Sequence, residues 1–217
     1  MAKGKDKGLR RKRVPSKKFK HAILIVCEDG KCATDYFKGI KNEWQLHLAK
    51  VELVVEGKEC GSAPISVVDH AENCRKARQR DARDPLQRKV QFDQVWCVFD
   101  RDQHESYKRA LDKATRNKYL STAESVPCFE VWYLAHFGAK RHKYDNHDHV
   151  VHALRQKDAM PGFVEKSAPL DILLPLTDTA LQNAKIIRDE LKENPALEYS
   201  ITKVDLLVSE LKTLKSD

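Results

Sequence analysis

No apolar run in this chain approaches the roughly 18 to 20 residues that cross a bilayer, so a membrane-spanning role is not expected. The amino terminus is charged and lacks the apolar segment and small-residue cleavage site of a secretory signal, so export is not expected either. Cysteine occurs at positions 27, 32, 60, 74, 97 and 128 but never in a CxxC pair. Several of these thiols sit in apolar patterns, where cysteine acts as a small hydrophobe, and a reduced cytoplasmic compartment fits them. No internal repeat is visible. Net charge is also missing from most of the chain, because beyond residue 20 there are 30 Lys or Arg against 31 Asp or Glu.

The formal charge of +8 therefore belongs to the first twenty residues, where ten Lys or Arg face Asp6 alone. Such a segment is too polar to pack and is expected to be a disordered tail. Arg10, Arg11, Lys12 and Arg13 form its densest run. Cations of this kind seek polyanions and release condensed counterions from phosphates, so nucleic-acid contact is one reading of the tail and a solubilising arm is the other.

At 217 residues the chain can bury one principal core with a modest extension. Strands are predicted at 22–27, 51–55, 94–99 and near 119–123, separated by helices over 34–48, around Ile65 to Ala71 and over 105–116. Pro127 is expected to open an apolar helix over 128–137 at the first-turn position. This alternation predicts an α/β fold, a doubly wound and mostly parallel sheet of about four strands with helices on both faces. Residues 21–137 read as that domain. Residues 138–217 read as a helical cap packed on it, with helices near 149–156, 177–193 and 202–214 and a loop over 160–175.

Two apolar runs end in acid. Ala22-Ile23-Leu24-Ile25-Val26-Cys27 runs into Glu28, and Val95-Trp96-Cys97-Val98-Phe99 runs into Asp100-Arg101-Asp102. The carboxyl ends of neighbouring parallel strands open onto one crevice, where ligands and ions bind. Asp100 and Asp102 can hold Mg²⁺, with Mn²⁺ as the alternative ion, and Glu28 either completes the shell or moves a proton at a phosphodiester. A lone DxD also occurs in sugar-nucleotide and nucleotidyl transferases and in helix caps, so its pairing with Glu28 is the more specific signal. Lys31 and Arg101 either neutralise phosphate or are solvated cations. His104 either contacts phosphate or caps a helix. Glu130 interrupts an apolar helix and is a further acid of the site, the partner of a cation, or an outward-pointing residue of the helix. His136, His142, His147, His149 and His152 lack a nearby cysteine and read as a solvated polar connection rather than a zinc site.

Ile23–Glu28 with Tyr36-Phe37-Lys38-Gly39, Val95–His104, and Pro127–Trp132 with His136-Phe137 together resemble the RloB-like family. That family looks like a divergent branch of the topoisomerase–primase (Toprim) domains, whose shared site is a Glu after the first strand and a DxD after a later one. The resemblance implies a cytoplasmic, Mg²⁺-dependent endonuclease of prokaryotic antiphage defence, acting in abortive infection beside an ATPase of the AAA or ABC type. RNA such as tRNA is favoured over DNA by that analogy alone, and homo-oligomerisation is left open. Glu28, Asp100 and Asp102 match the shared acids, and Glu130 matches an acid distinctive of the group. The first motif, usually Glu-Gly-Glu-Lys-Thr-Glu, is here Glu28-Asp29-Gly30-Lys31-Cys32-Ala33, and a late Asn-Pro and Ser-Thr motif is blurred at Asn194-Pro195 and Ser200-Ile201-Thr202. The altered first motif keeps a second reading open, a catalytically degenerate module that binds nucleic acid and acts through the ATPase.

Overall fold

A strand covered on both faces needs apolar residues at every position, and His21–Cys27 (β1) has them from Ala22 onward. In the computed structural model, which describes residues 19–28, 31–49, 51–57, 60–84, 87, 89–101 and 105–215, β1 lies between Val51–Glu56 (β2) and Gln94–Val98 (β3). The Ser121–Thr122 strand (β4) completes a sheet of order β2-β1-β3-β4. Every pairing in it is parallel, with Ile25 level with Val55 on one side and Trp96 on the other. This is consistent with the Toprim-like α/β fold expected from the sequence.

Alternation along the strands divides the core in two. Leu24, Val26, Val95, Cys97 and Phe99 face Pro64–Asp81 (α2) and Tyr107–Arg116 (α3), which contribute Val67, Val68, Ala71, Ala110 and Ala114. Ile23, Ile25, Cys27, Trp96 and Val98 face Lys31–Glu43 (α1) through Tyr36, Phe37 and Ile40. That second cluster runs on without interruption into Glu130–Ala135 (α4), His147–Leu154 (α5), Thr177–Glu193 (α7) and Val204–Thr213 (α8). The apolar stripes of the C-terminal helices are thus covered by the same core as β1. A short helix, Leu170–Leu173 (α6), sits where Gly39 leaves room for it, since a Cβ there would lie 1.9 Å from Leu170 Cδ1.

Several boundaries differ from the sequence expectation. The first helix begins at Lys31 rather than 34 and ends at Glu43, because Gln45 takes a positive φ of 48° that breaks the helical path. Pro127 does not open α4: its bond to Val126 is cis, and the chain turns through Cys128 and Phe129 before the helix starts at Glu130. The expected loop over 160–175 contains α6, followed by a 3₁₀ turn at Leu174–Leu176. Ser125–Val126 (β5) and Ile201–Thr202 (β6) form an antiparallel pair that no periodicity could reveal, each strand being two residues long. One cation of α2 is packed inward: Arg78 is buried against Glu52 of β2, the Val90 carbonyl and the Phe92 ring.

Candidate functional site

Glu28 follows β1 directly, and its own N–H donates to the Val98 carbonyl at 2.9 Å, so the β1–β3 ladder fixes its backbone. Its carboxylate Oε2 accepts the backbone N–H of Asp100 at 3.0 Å. Asp100 extends β3 by a bridge to Ser125, locked by Ser125 N–H on the Phe99 carbonyl at 3.2 Å and Arg101 N–H on the Ser125 carbonyl at 2.8 Å. The two acids that the sequence places at strand ends therefore meet at the carboxyl edge of the sheet. Both are half-buried.

Glu130, the first residue of α4, is 5% exposed. The Cys32 thiol of α1 donates to its Oε1 at 3.1 Å, and His147 Nε2 of α5 stands 3.5 Å from the same oxygen. Burial alone would lift this carboxyl, but hydrogen bonds from His147 and Cys32 outweigh it and hold it below the ordinary range. The same pairing raises His147 to about 9, so in neutral water the two form an imidazolium–carboxylate pair. The structure thus gives Glu130 a cation partner, His147. Burial, followed by the Glu130 charge and with Asp100 adding to it, pushes the Cys32 and Cys128 thiols up and keeps them protonated. Asp100 and Glu130 thus act on the same two thiols.

The pair makes a pH prediction. The His147 contribution to stability is complete below the ordinary imidazole value of 6.5 and is lost as pH rises through about 9. The Glu130 contribution is present above the ordinary 4.5 and is lost as acid protonates it below that value. An NMR titration of His147 is expected to give a midpoint near 9 in the native protein, returning toward 6.5 in Glu130→Gln. An unshifted midpoint in the native protein would sink the pairing.

Beside these acids opens a groove of about 1330 Å³. Arg101 and Arg109 border it near α3, Val126 and Pro127 line it below, and the segments 143–148 and 195–200 close the far wall. Arg101, Arg109, Lys143 and the charged His147 are offset there by Glu105, Asp145, Asp148 and Glu198, so the lining is nearly neutral. The blurred late motif forms part of this wall. Ser200 Oγ accepts the Tyr144 N–H at 2.9 Å, and Thr202 Oγ1 pairs with Ser125 Oγ at 2.9 Å. Lys203 pairs with the buried Glu124 at 2.5 Å.

Of the other residues singled out from the sequence, Lys31 is exposed at the start of α1, and Arg101 is exposed on the groove. Asp102, His104, Arg10, Arg11, Lys12 and Arg13 lie outside the described residues. Ala33, which stands where the family motif has an acid, is buried in the core. The histidines of the 136–152 stretch do not gather: His136 is buried on the Trp132 carbonyl, His142 meets the Tyr144 ring edge to face, and His152 contacts Gln156. Sequence reasoning missed the bond of His147 to Glu130 and the groove cations Arg109 and Lys143, for which no local spacing gives a signal.

Compared with known proteins, the chain matches the family model described as RloB-like protein over residues 23–211. No curated protein and no solved structure matches it.

Proposed function

The chain belongs to the RloB-like family, and from that premise we propose that it is a Mg²⁺-dependent nuclease of prokaryotic antiphage defence. It cuts nucleic-acid phosphodiesters, RNA such as tRNA in preference to DNA, and acts in abortive infection with an AAA- or ABC-type ATPase. The observation that carries this reading is the Glu28 carboxylate seated on the Asp100 amide at the carboxyl edge of a parallel sheet, beside an open groove.

Mg²⁺ takes hard oxygens and is satisfied by one or two carboxylates with water and substrate phosphate, which suits a donor set of acids rather than thiolates. Glu28 and Asp100, with Asp102, would hold it or Mn²⁺, and the bound ion would polarise a phosphoryl oxygen and acidify an attacking water. Around it, Arg101, Arg109 and Lys143 on the groove neutralise phosphate charge. His147, protonated in neutral water and lining the same groove, donates a hydrogen bond to a phosphoryl oxygen or a proton to the leaving alkoxide. Because the groove lining is close to neutral, long-range capture of a polyanion falls to the basic segment 1–20. Deleting that segment is expected to weaken nucleic-acid binding and flatten its salt dependence while leaving the maximal cleavage rate near that of the full chain, measured by binding titrations at several salt concentrations.

One observation favours a second reading. Ala33 is packed into the core where the family motif carries an acid, which suits a scaffold that has given up catalysis and delivers nucleic acid to the ATPase. Full-length protein, alone and with the product of a neighbouring ATPase gene, decides between the two on labelled RNA and DNA with Mg²⁺ or Mn²⁺. Cleavage supports the nuclease. Intact nucleic acid throughout, together with phage protection that survives Glu28→Gln, rejects it in favour of the scaffold.

A further inference from the structure

Where the carboxyl end of β2 meets α2, apart from the Glu28–Asp100 contact, three side chains of different chemistry converge. Glu56 is the last residue of the edge strand β2, and His70 and Cys74 stand one turn apart on α2. His70 Nε2 lies 2.5 Å from Glu56 Oε2, and Cys74 Sγ lies 3.3 Å from both. Among the described residues this is the one place where three His, Cys, Asp or Glu ligand atoms gather within 4.8 Å of one another.

We propose that Glu56, His70 and Cys74 bind Zn²⁺, with water as the fourth ligand. A tetrahedral zinc with one sulfur, one nitrogen and one oxygen has ligand-to-ligand edges of about 3.3 to 3.6 Å. The two edges to Cys74 already have that length within about 0.3 Å. The Glu56–His70 edge must open by about 0.9 Å, which is a side-chain rotation and leaves the backbone in place. Both of those side chains are partly exposed, at 31% and 23%, so water can reach the fourth position and the metal can enter. A cluster of one thiol, one imidazole and one carboxylate suits zinc better than Mg²⁺, which prefers oxygen alone. On binding, the thiol proton of Cys74 leaves to solvent as the Zn–S bond forms, and the proton on His70 Nε2 moves to Nδ1 or to solvent. The thiolate and carboxylate then balance the ion's two charges, and β2 is clipped to α2.

The sequence carries a faint signal in the His-x-x-x-Cys spacing of α2, which puts both side chains on one helical face. Nothing in the sequence links that pair to Glu56.

The test uses full-length apoprotein and the metals themselves. Zn²⁺ titration is expected to reach one equivalent, and Co²⁺ is expected to give a thiolate-to-cobalt charge-transfer band in the near ultraviolet. Cys74→Ser should abolish the band, and His70→Ala should weaken binding at least tenfold, the lower end of the effect of losing even an outer-shell partner. Asp100→Asn should leave the band unchanged, which separates this site from the acidic edge. A third readout needs no variant: Zn²⁺ should slow alkylation of Cys74 in the native chain, followed by peptide mapping. Absence of stoichiometric binding, a band that survives Cys74→Ser, or alkylation of Cys74 indifferent to Zn²⁺ overturns the proposal.

Discussion

Asp100→Asn is expected to lower phosphodiester cleavage at least about 100-fold, the scale on which single groups acting at reacting atoms count, with the fold intact. The fold is expected to survive because the Asp100 backbone makes two contacts that a side-chain change leaves in place: its N–H holds Glu28, and its strand position bridges Ser125. An asparagine keeps both and removes the negative charge that a divalent cation needs. Glu28→Gln should act the same way, since an amide oxygen still accepts the Asp100 N–H but offers the ion less. If both acids serve one ion, the double variant should fall little below either single one, because groups that act as a unit are not additive. The measurement is the initial rate on labelled RNA or DNA across a Mg²⁺ titration, with circular dichroism to confirm folding. Wild-type rates in Asp100→Asn would remove the acidic edge from the mechanism.

The second large effect concerns stability. Trp132 is fully buried, with its indole edge-on to Tyr36 at 6.4 Å and to His136 at 4.8 Å, centroid to centroid. Trp132→Ala is expected to cost about 3 to 5 kcal/mol, from lost apolar transfer and the cavity left behind. The same change loosens α4, two residues beyond Glu130, so the His147 midpoint should drift down from about 9. Urea unfolding measures the first effect and NMR titration the second. Leu206→Ala, at a position 40% exposed, serves as the control and should stay within about 0.5 kcal/mol of wild type. His136 beside Trp132 is held neutral, its value lowered by burial to about 4, so it contributes packing rather than charge.

How much of this was legible beforehand follows from what each element must satisfy. β1 and β3 are covered on both faces, so they could be written only as unbroken apolar runs, and the acids that stop them stand out for that reason. Glu28 and Asp100 were readable as a pair because parallel neighbours must end at the same edge. α7 matched its expected bounds, since its apolar stripe covers a core. The start of α4 was misread at Pro127, because a proline before an apolar run looks the same whether its bond is trans at a helix start or cis in the approach to one. The β5–β6 pair was invisible because two residues carry no period.

By itself, then, the sequence determined the alternation of buried strands and helices, the acids at the strand ends and the charge asymmetry of the first twenty residues. These are local properties, written wherever a segment meets water or core. Only the tertiary structure decided that Glu130 meets His147, that Cys32 donates to the same carboxylate, that Glu56 joins His70 and Cys74, and that the late motif walls the groove. Each of these joins side chains from separate elements, and their meeting depends on how helices pack across a sheet rather than on any spacing along the chain.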